Sequence, residues 1–391
     1  LSIQSYFVTM FFSLTLGLVL YFYGKLSEKK INYIEQLVLI LFVYFLISFF
    51  IAIPFYLSNF EINILDALFE SISGLTGTGF STFNNIKYFD PTLILWRSSS
   101  QWIGGLFFLL FLTILFSNKI FNYKMTNLTF SGDSNVKSEE NVKNNILKIF
   151  IYYCIFSFTL LIFLNFSGIR LFNSLNLTMT LISGGGFLPS NNLSEIISTN
   201  FQKIILIIAL IFSFLNFYLF INLFDREKLT RYHKEDFYLL ILVFILILPV
   251  FISPYNVLNS IINVLSSLAN SGITLTKSNN NFSLFFLFIT IIGGSLISNS
   301  SGIKLSRFYI LVKITSSEIL KLISPNTVIN KTIFNSDIKI TDENIKISFL
   351  IFISFFISLI FLSSLLAFDS LDFESSFKLS VLALTNTVNS E

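Results

Sequence analysis

Four short, polar and mostly glycine-rich stretches carry backbone carbonyl and hydroxyl oxygens that could bind a metal ion. They are Thr76-Gly77-Thr78-Gly79, Ser183-Gly184-Gly185-Gly186, Asn270-Ser271-Gly272 and Asn386-Thr387-Val388. None of the four contains an acidic residue. Divalent ions favour carboxylate ligands, whereas carbonyl oxygens can replace the hydration shell of a monovalent ion. The residue types therefore predict a carbonyl site for a weakly hydrated monovalent cation, with the hydroxyls of Thr76, Thr78 and Ser183 as possible helpers.

Each of these stretches follows an apolar run that is too short to cross a membrane. The runs are Ile64–Leu75, Leu171–Ile182, Asn259–Ala269 and Phe373–Leu384. A spanning helix needs about 20 apolar residues. We therefore expect four half-helices that enter from outside and end near the membrane centre. Their C-terminal ends carry the negative end of the helix dipole, which favours a cation.

A fifth polar stretch, 293–304, interrupts a longer apolar segment. The run Phe282–Ile292 leads into Gly293-Gly294 and then a serine-rich sequence ending in Gly302-Ile303-Lys304. Irregular backbone at membrane depth is tolerated only where protein buries it or where it lines a watery cavity. The pattern predicts a broken helix next to the ion-binding loops.

The composition indicates an all-α, polytopic membrane protein. The chain has 391 residues, 54% of them hydrophobic and 12% charged, whereas soluble domains carry about 25% charged residues. Of 25 Lys and Arg, 19 lie in the stretches 24–33, 118–149, 224–237 and 304–346, which the positive-inside rule places in the cytoplasm. Cys154 is the only cysteine, so no internal disulfide is expected.

The order of apolar runs repeats along the chain. We predict spans at Ser5–Tyr23, Tyr33–Leu57, Leu93–Ser117, Ile146–Phe166, Phe201–Leu223, Phe237–Ile252 and Ile345–Ala367. The expected organisation is an extra N-terminal helix with its turn (1–32), four units around one pore (33–117, 146–223, 237–318 and 345–391) and cytoplasmic segments at 118–145, 224–236 and 319–344. Each unit is a helix, a pore helix, a filter loop and a helix; the last helix of the fourth unit is expected to be missing.

Several single residues admit two interpretations. Arg97 could reach the membrane surface or brace a loop, and Lys304 could act inside the membrane or extend to the cytoplasmic interface. Glu70 could attract cations or bond to neighbouring backbone. The pair Gly104-Gly105 is expected to serve close helix packing. For His233, the only histidine, we expect a solvated surface position.

Three motifs resemble the Trk/Ktr/HKT superfamily of potassium transporters, and most closely its TrkH-type membrane subunit. Phe69-Glu70-Ser71-Ile72-Ser73-Gly74-Leu75-Thr76-Gly77-Thr78-Gly79 is similar to the first pore helix and filter of that family. Arg97-Ser98-Ser99-Ser100-Gln101-Trp102-Ile103-Gly104-Gly105 is similar to its first inner helix. Gly293-Gly294 with Ser298-Asn299-Ser300-Ser301-Gly302-Ile303-Lys304 is similar to its interrupted inner helix.

The resemblance implies potassium uptake across a bacterial inner membrane, with no enzymatic activity, no cofactor in this chain and no nucleic-acid partner. Gly79, Gly186 and Gly272 would be filter glycines, and potassium would bind at the loop residues. The gate would consist of Gly293, Gly294, Ser300, Ser301, Gly302 and Lys304. The family also implies a homodimer in the lipid bilayer. Its partner would be a cytoplasmic, nucleotide-binding, TrkA-like ring that docks on the charged segments 118–149 and 304–346.

The sequence departs from the family pattern in three places. Ser301 replaces a glycine of the gate, and the fourth loop reads Asn386-Thr387-Val388-Asn389-Ser390 where the family has Asn-x-Gly-Pro-Gly. The last inner helix and its basic residue are also missing, so we expect a truncated chain. Valine resists a positive φ, so a less selective sodium and potassium pathway stays open as an alternative. A membrane enzyme would need clustered His, Asp, Glu or Cys in the spans, and a midplane transporter would have inverted repeats; the sequence favours neither.

Overall fold

The computed structural model describes residues 2–26, 32–58, 60–83, 85–117, 139–224, 233–249, 256–275, 283–324, 331–334 and 339–388. Residues 27–31 of the predicted cytoplasmic turn, residues 118–138, 225–232, 325–330 and 335–338 of the charged segments, and Asn389 and Ser390 of the fourth loop lie outside this part. The described part is built from α-helices, as the composition predicts. The first seven are α1 (Ser2–Lys25), α2 (Tyr33–Tyr56), α3 (Ile64–Thr76), α4 (Pro91–Ser117), α5 (Glu139–Phe166), α6 (Leu171–Ser183) and α7 (Asn200–Phe214). The other seven are α8 (Phe217–Phe224), α9 (Lys234–Ile247), α10 (Val257–Ala269), α11 (Ser283–Ile292), α12 (Leu305–Ile323), α13 (Asp342–Phe368) and α14 (Phe373–Leu384).

Among the described residues, five helices are long and apolar enough to cross a membrane, which makes the chain a multi-pass membrane protein. They are α1, α2, α4, α5 and α13, and the bent pair α7–α8 makes a sixth if it counts as one span. In α1 and α13 only 6% of the apolar window is buried. Such apolar, unburied helices are suited to lipid contact, because hydrocarbon chains are as apolar as their side chains.

The four short helices α3, α6, α10 and α14 have 13, 13, 13 and 12 residues, and their bounds are close to those of the four short apolar runs in the sequence. Each packs against at least one helix of its own unit: α3 on α2 and α4, α6 on α5 and α7, α10 on α9 and α11, and α14 on α13. The last three also pack on an inner helix of the preceding unit, namely α4, α7 and α11. These shared neighbours bring consecutive units side by side.

The main buried cluster lies between the second and third units. Leu177 of α6, Leu206 and Phe214 of α7, and Leu265 of α10 belong to it, and each is at most 1% exposed. Closely packed apolar side chains in a protein interior resist changes in volume. The cluster therefore gives the ends of α6 and α10 a rigid backing.

The predicted span Phe201–Leu223 is wrong as a single helix. The structure has α7 and α8, bent by 104° at Leu215 and Asn216. Residues far away in sequence form hydrogen bonds with the backbone groups at this break. The Phe214 carbonyl accepts from the Ser295 amide at 2.9 Å, and the Phe217 amide donates to the Ile297 carbonyl at 2.9 Å. The bend persists because these bonds replace the ones a straight helix would make.

The pair Gly104-Gly105 lets α4 approach two half-helix ends, as expected. A methyl group on Gly104 would overlap the carbonyl group of Leu75, and one on Gly105 would lie 2.7 Å from the Cβ of Ser183. Both neighbours belong to the ends of α3 and α6. Helix α4 therefore sets the spacing between the first two half-helix ends.

We expect Gly104→Ala to destabilise the protein by about 1–3 kcal/mol, the usual cost of overpacking a core, because the clash is with backbone. Thermal unfolding of the purified protein in detergent measures this. Gly17→Ala in α1 is the matched control, since a methyl group there has nothing within 4 Å. An unchanged melting temperature for Gly104→Ala would show that α3 and α4 are less tightly packed than described.

Candidate functional site

The four half-helices end with the same backbone turn. A left-handed residue directly follows the first three helices, Gly77 (φ 74), Gly184 (φ 70) and Asn270 (φ 58), and in the fourth loop it comes one residue later, at Asn386 (φ 47). Its amide donates to the carbonyl three residues earlier, at 3.0, 3.2, 3.3 and 3.3 Å respectively. Glycine and asparagine are the residues that most readily end a helix in this way. The four loops therefore start with equivalent geometry.

In three of the loops the next amide also bonds back into the helix. The amides of Gly185, Ser271 and Thr387 donate to carbonyls five residues earlier, at 2.9, 3.1 and 2.9 Å. This pair of bonds is the Schellman arrangement, which satisfies carbonyls at a helix end. In the first loop the Gly79 amide reaches the Ser73 carbonyl instead, at 3.4 Å.

Contacts connect the four loops in a closed order. A methyl group on Gly79 would lie 2.9 Å from the Gly186 Cα, and one on Gly186 would lie 2.7 Å from the Ser271 carbonyl oxygen. One on Gly272 would overlap the carbonyl group of Val388. The hydroxyl of Thr78 then donates to Asn386 Oδ1 at 3.2 Å, which returns to the first loop. The sequence-predicted loop residues are therefore brought together.

The third loop position differs between units. Gly79 and Gly272 have φ values of 84 and 65, whereas Gly186 and Val388 are not among the described residues with positive φ. Valine is thus accommodated where the second unit also lacks the left-handed conformation. Two of the loops therefore have a left-handed residue at this position and two do not.

The loop hydroxyls are already engaged with protein partners. Thr76 donates to the Ile72 carbonyl at 2.8 Å and contacts the Thr78 hydroxyl at 2.6 Å. Ser183 donates to carbonyls of the preceding turn at 2.9 Å. A hydroxyl that donates to a carbonyl keeps its lone pairs as acceptors, so these groups can still face a cation.

Asn270 ties the third loop to its surroundings. Its side-chain amide donates to the Thr290 carbonyl at 2.9 Å and to the Thr387 hydroxyl at 3.1 Å. Its Oδ1 accepts from the Ser301 amide at 3.1 Å. One side chain thereby joins the third loop, the fourth loop and the stretch 293–304, which we call the intramembrane segment.

A buried ion pair supports the first loop from behind. Arg97 is 2% exposed and Glu70 is 0% exposed, and Arg97 Nε lies 2.5 Å from Glu70 Oε1. Glu70 also accepts from the Ser81 hydroxyl at 3.1 Å and the Thr82 amide at 3.3 Å. Arg97 therefore braces the loop that follows α3 and does not reach the membrane surface, and Glu70 bonds to nearby backbone.

Two further contacts from α4 reach the second loop. The Arg97 guanidinium lies 4.1 Å from the ring centroid of Phe187, a distance suited to cation–π attraction. Gln101 accepts from the Phe187 amide at 3.2 Å. The signature of the first inner helix thus contacts both the first and the second loops.

The intramembrane segment folds back on the end of α11. The amides of Ile303, Lys304 and Leu305 donate to the carbonyls of Ile291, Ile292 and Gly294 at 2.9, 3.0 and 3.2 Å. The Gly294 amide donates to the Ser300 hydroxyl at 3.0 Å, and Gly293 lies against Ser301 and Gly302. The broken helix predicted from the sequence is therefore present, with its six candidate gate residues in one compact loop.

The side chain of Lys304 stabilises the intramembrane segment through hydrogen bonds. Its side chain is buried, and its ammonium group donates to the Ser298 carbonyl at 3.4 Å and hydroxyl at 3.2 Å, to the Ser300 hydroxyl at 3.2 Å and to the Ser300 carbonyl. It does not extend to the interface. Its backbone has φ 77 and ψ 137, a conformation that costs a non-glycine residue roughly 1–3 kcal/mol.

Sequence reasoning missed Glu235 as a second support. This buried carboxylate accepts from the Ser295 hydroxyl at 3.3 Å, the Leu296 amide at 3.4 Å and the Ser306 amide at 3.2 Å. The Ser306 amide is one of the unpaired donors at the start of α12, where an anion is favourable. The signal available was an acidic pair, Glu235-Asp236, at the start of an apolar run.

The expected surface position of His233 is wrong. Its side chain is buried, with ring nitrogens 3.0 Å from Asn222 Nδ2 and 3.1 Å from Asp236 Oδ2. The other oxygen of Asp236 accepts from the Asn216 amide at 2.9 Å. The break between α7 and α8 creates this polar site, so a pattern that predicted a straight helix could not reveal it.

The described residues contain no group of three or more His, Cys, Asp or Glu side chains that could hold a metal ion. What the loops offer is backbone carbonyls, hydroxyls and half-helix ends. Such groups can coordinate a cation without a formal counter-charge.

Comparisons with known proteins give consistent results. No protein-family model matches the chain. An uncharacterized cation transporter of Methanocaldococcus jannaschii is 28% identical over 394 residues, covering 96% of this chain and 80% of that protein. The Trk system potassium uptake protein TrkH of Salmonella typhimurium is 24% identical over 338 residues, covering 82% and 70%.

The fold also has a solved counterpart. The crystal structure of the potassium transporter TrkH from Vibrio parahaemolyticus matches with a TM-score of 0.79 at 19% identity, covering 98% of this chain and 82% of that one. The resemblance expected from the motifs is therefore confirmed in both sequence and fold.

Proposed function

We propose that this chain, which has the sequence relatives and the fold of a TrkH-type membrane subunit, carries potassium ions across the plasma membrane. The observation that carries the proposal is the closed order of contacts among four loops that start with the same turn. The relative from Salmonella typhimurium, which is named as a potassium uptake protein, supports it.

The loops would act as the filter. Four half-helix C-termini direct their negative dipole ends toward one region, and the carbonyls of the loops would replace water around the ion. A membrane potential supplies about 2.3 kcal/mol per charge per 100 mV for inward movement. The site itself then needs only to bind the ion weakly enough to release it.

The intramembrane segment would be the gate. It is bonded to the third loop through Asn270 and to the second half-helix through Asn299, whose side-chain amide donates to the Ile182 carbonyl at 2.7 Å. It also pairs with the break between α7 and α8. Movement of this loop would therefore change the path beside two of the four filter loops.

Rubidium uptake with sodium competition tests the proposal. We expect potassium-uptake-deficient cells that carry the full-length protein to take up rubidium above background, and excess sodium to leave most of that uptake in place. The monovalent carbonyl site is the physical reason. Equal uptake in cells with and without the protein, also after co-expression of a ring subunit, would contradict potassium transport.

The second candidate function is a less selective sodium and potassium pathway, and Val388 favours it. Its carbonyl lies against Gly272 in the ring of loops, and valine resists the left-handed backbone that Gly79 and Gly272 adopt. We expect Val388→Gly to raise the preference for rubidium over sodium. Val388→Ile, which keeps the branched side chain, is the control. An unchanged ratio for Val388→Gly would exclude this candidate.

The proposed assembly is a homodimer with a cytoplasmic, nucleotide-binding, TrkA-like ring. The positively charged segments 118–149 and 304–346 would be its docking surface, and the nucleotide would act only through the ring. Light scattering of the purified protein in detergent, alone and with the ring subunit, would measure both associations.

A further inference from the structure

A cavity of about 370 Å³ lies between α5, the end of α6, α7, α8 and the intramembrane segment. Its walls are mostly apolar and include Phe156, Phe163, Ile208, Phe212 and Phe220. This volume falls in the range of small-molecule sites, roughly 300–1,000 Å³. These five side chains lie outside the proposed filter and gate, whereas Ser298 and Asn299 of the intramembrane segment line the inner end of the cavity.

The outer wall of the cavity faces the bilayer. Phe163 is 60% exposed, Ile208 49% and Phe212 36%. These side chains belong to α5, a candidate span, and to α7, part of the bent pair. Molecules dissolved in the hydrocarbon core can therefore reach the cavity without crossing water.

The inner end of the cavity is polar and unsatisfied. Ser213 Oγ and Asn299 Oδ1 line it and have no hydrogen-bond partner in the described part of the chain. Ser213 is 3% exposed. The bond from Asn299 Nδ2 to the Ile182 carbonyl fixes the orientation of the Asn299 amide, and Oδ1 then has no donor to accept from in the described part of the chain. A buried polar group without a partner has lost its bonds to water without replacement, so both atoms favour a ligand that bonds to them.

The same end adjoins the proposed filter and gate. A methyl group on Gly184 would lie 2.9 Å from Ser213 Oγ and 3.5 Å from the Asn299 carbonyl oxygen. Asn299 belongs to the intramembrane segment, and Gly184 starts the second loop. A ligand at this end would therefore touch both parts.

We propose that the cavity binds an apolar alcohol or phenol from the bilayer. The hydroxyl would donate to Asn299 Oδ1 and accept from Ser213 Oγ, which satisfies both atoms, while the apolar body fills the phenylalanine-lined part. Binding stands on the cavity alone; only an effect of the ligand on ion flux rests on the proposed function.

Photolabelling tests the site directly. The purified full-length protein in lipid nanodiscs is labelled with a diazirine derivative of octanol, and the labelled peptides are identified by mass spectrometry. We expect saturable labelling at the cavity walls on α5 and α7, displaced by excess octanol. Uniform labelling of lipid-facing helices such as α1 and α13, without saturation, would overturn the proposal.

Variants separate the polar from the apolar part of the site. Ala209→Phe fills the cavity and should abolish saturable labelling. Ala209→Leu adds less volume and should reduce saturable labelling, so it tests the same point if the phenylalanine variant does not fold. Ser213→Ala should weaken displacement by octanol about threefold to tenfold, the value of one hydrogen bond. Displacement by nonane, which has no hydroxyl, should not change in this variant. Ser354→Ala, in a lipid-facing groove on α13, is the matched control.

Two results would refute the assignment. Octanol displacing the label no better than nonane from the native protein would mean that the inner polar atoms are satisfied by water. Saturable labelling that survives Ala209→Phe in folded protein would place the site elsewhere. Because labelling is read without ion flux, neither result depends on whether the chain transports potassium.

Discussion

Arg97→Met should destabilise the protein by about 3–5 kcal/mol, the usual effect of removing one partner from a buried ion pair. Glu70 has no exposed surface, so its charge would stay buried without the guanidinium. The Thr82 amide and Ser81 hydroxyl bonds are too few to replace a full positive charge. Thermal unfolding in detergent measures the loss, and rubidium flux should fall with it.

A double variant separates the charge effect from lost packing. In Arg97→Met/Glu70→Leu no charge stays buried, so we expect it to be more stable than Arg97→Met alone. Arg97→Lys should be intermediate, because one ammonium group cannot reproduce the planar contact with Phe187 and the bond to Glu70. If Arg97→Met melted at the native temperature, the pair would not brace the first loop.

Lys304→Met should raise rubidium flux about tenfold if the intramembrane segment is the gate. The lysine ammonium shares its three N–H donors among four oxygens of Ser298 and Ser300. Hydrogen bonds of a charged group contribute about 1.5–3 kcal/mol, and 1.4 kcal/mol changes a ratio of states tenfold. Methionine keeps the length and apolar stem but makes none of these bonds, so the open state should gain population.

Lys304→Gly tests whether the backbone contributes as well. Glycine adopts φ 77 at little cost, so this variant loses the ammonium bonds and also relieves strain. The two variants should both raise flux if the ammonium group holds the segment. A rise in Lys304→Gly alone would assign the effect to backbone strain. Lys313→Met on the same helix α12 is the control. A similar rise in rubidium flux in this variant would indicate that loss of any positive charge on α12 is sufficient.

Local signals in the sequence determine the half-helices and their ends. Each apolar run is about a dozen residues long, and in all four a glycine or asparagine comes directly after the predicted helix or one residue later. These residue types end a helix through their own backbone preference, so no distant partner is needed. The same holds for the apolar spans and for the break after Ile292, where Gly293-Gly294 meets a serine-rich stretch.

Only the tertiary structure decided the bend at Leu215 and Asn216, the burial of His233 and the role of Glu235. The bend depends on Ser295 and Ile297 and the carboxylate on Ser306, all far away in sequence. The partners of the histidine, Asn222 and Asp236, are near it in sequence, but Asn222 lies on α8 beyond the bend. Within an apolar run of helical length, Ser213 and Asn216 are compatible with a straight helix. It is the hydrogen bonds to the intramembrane segment that make the bent form stable, and these exist only once the second and third units have packed together.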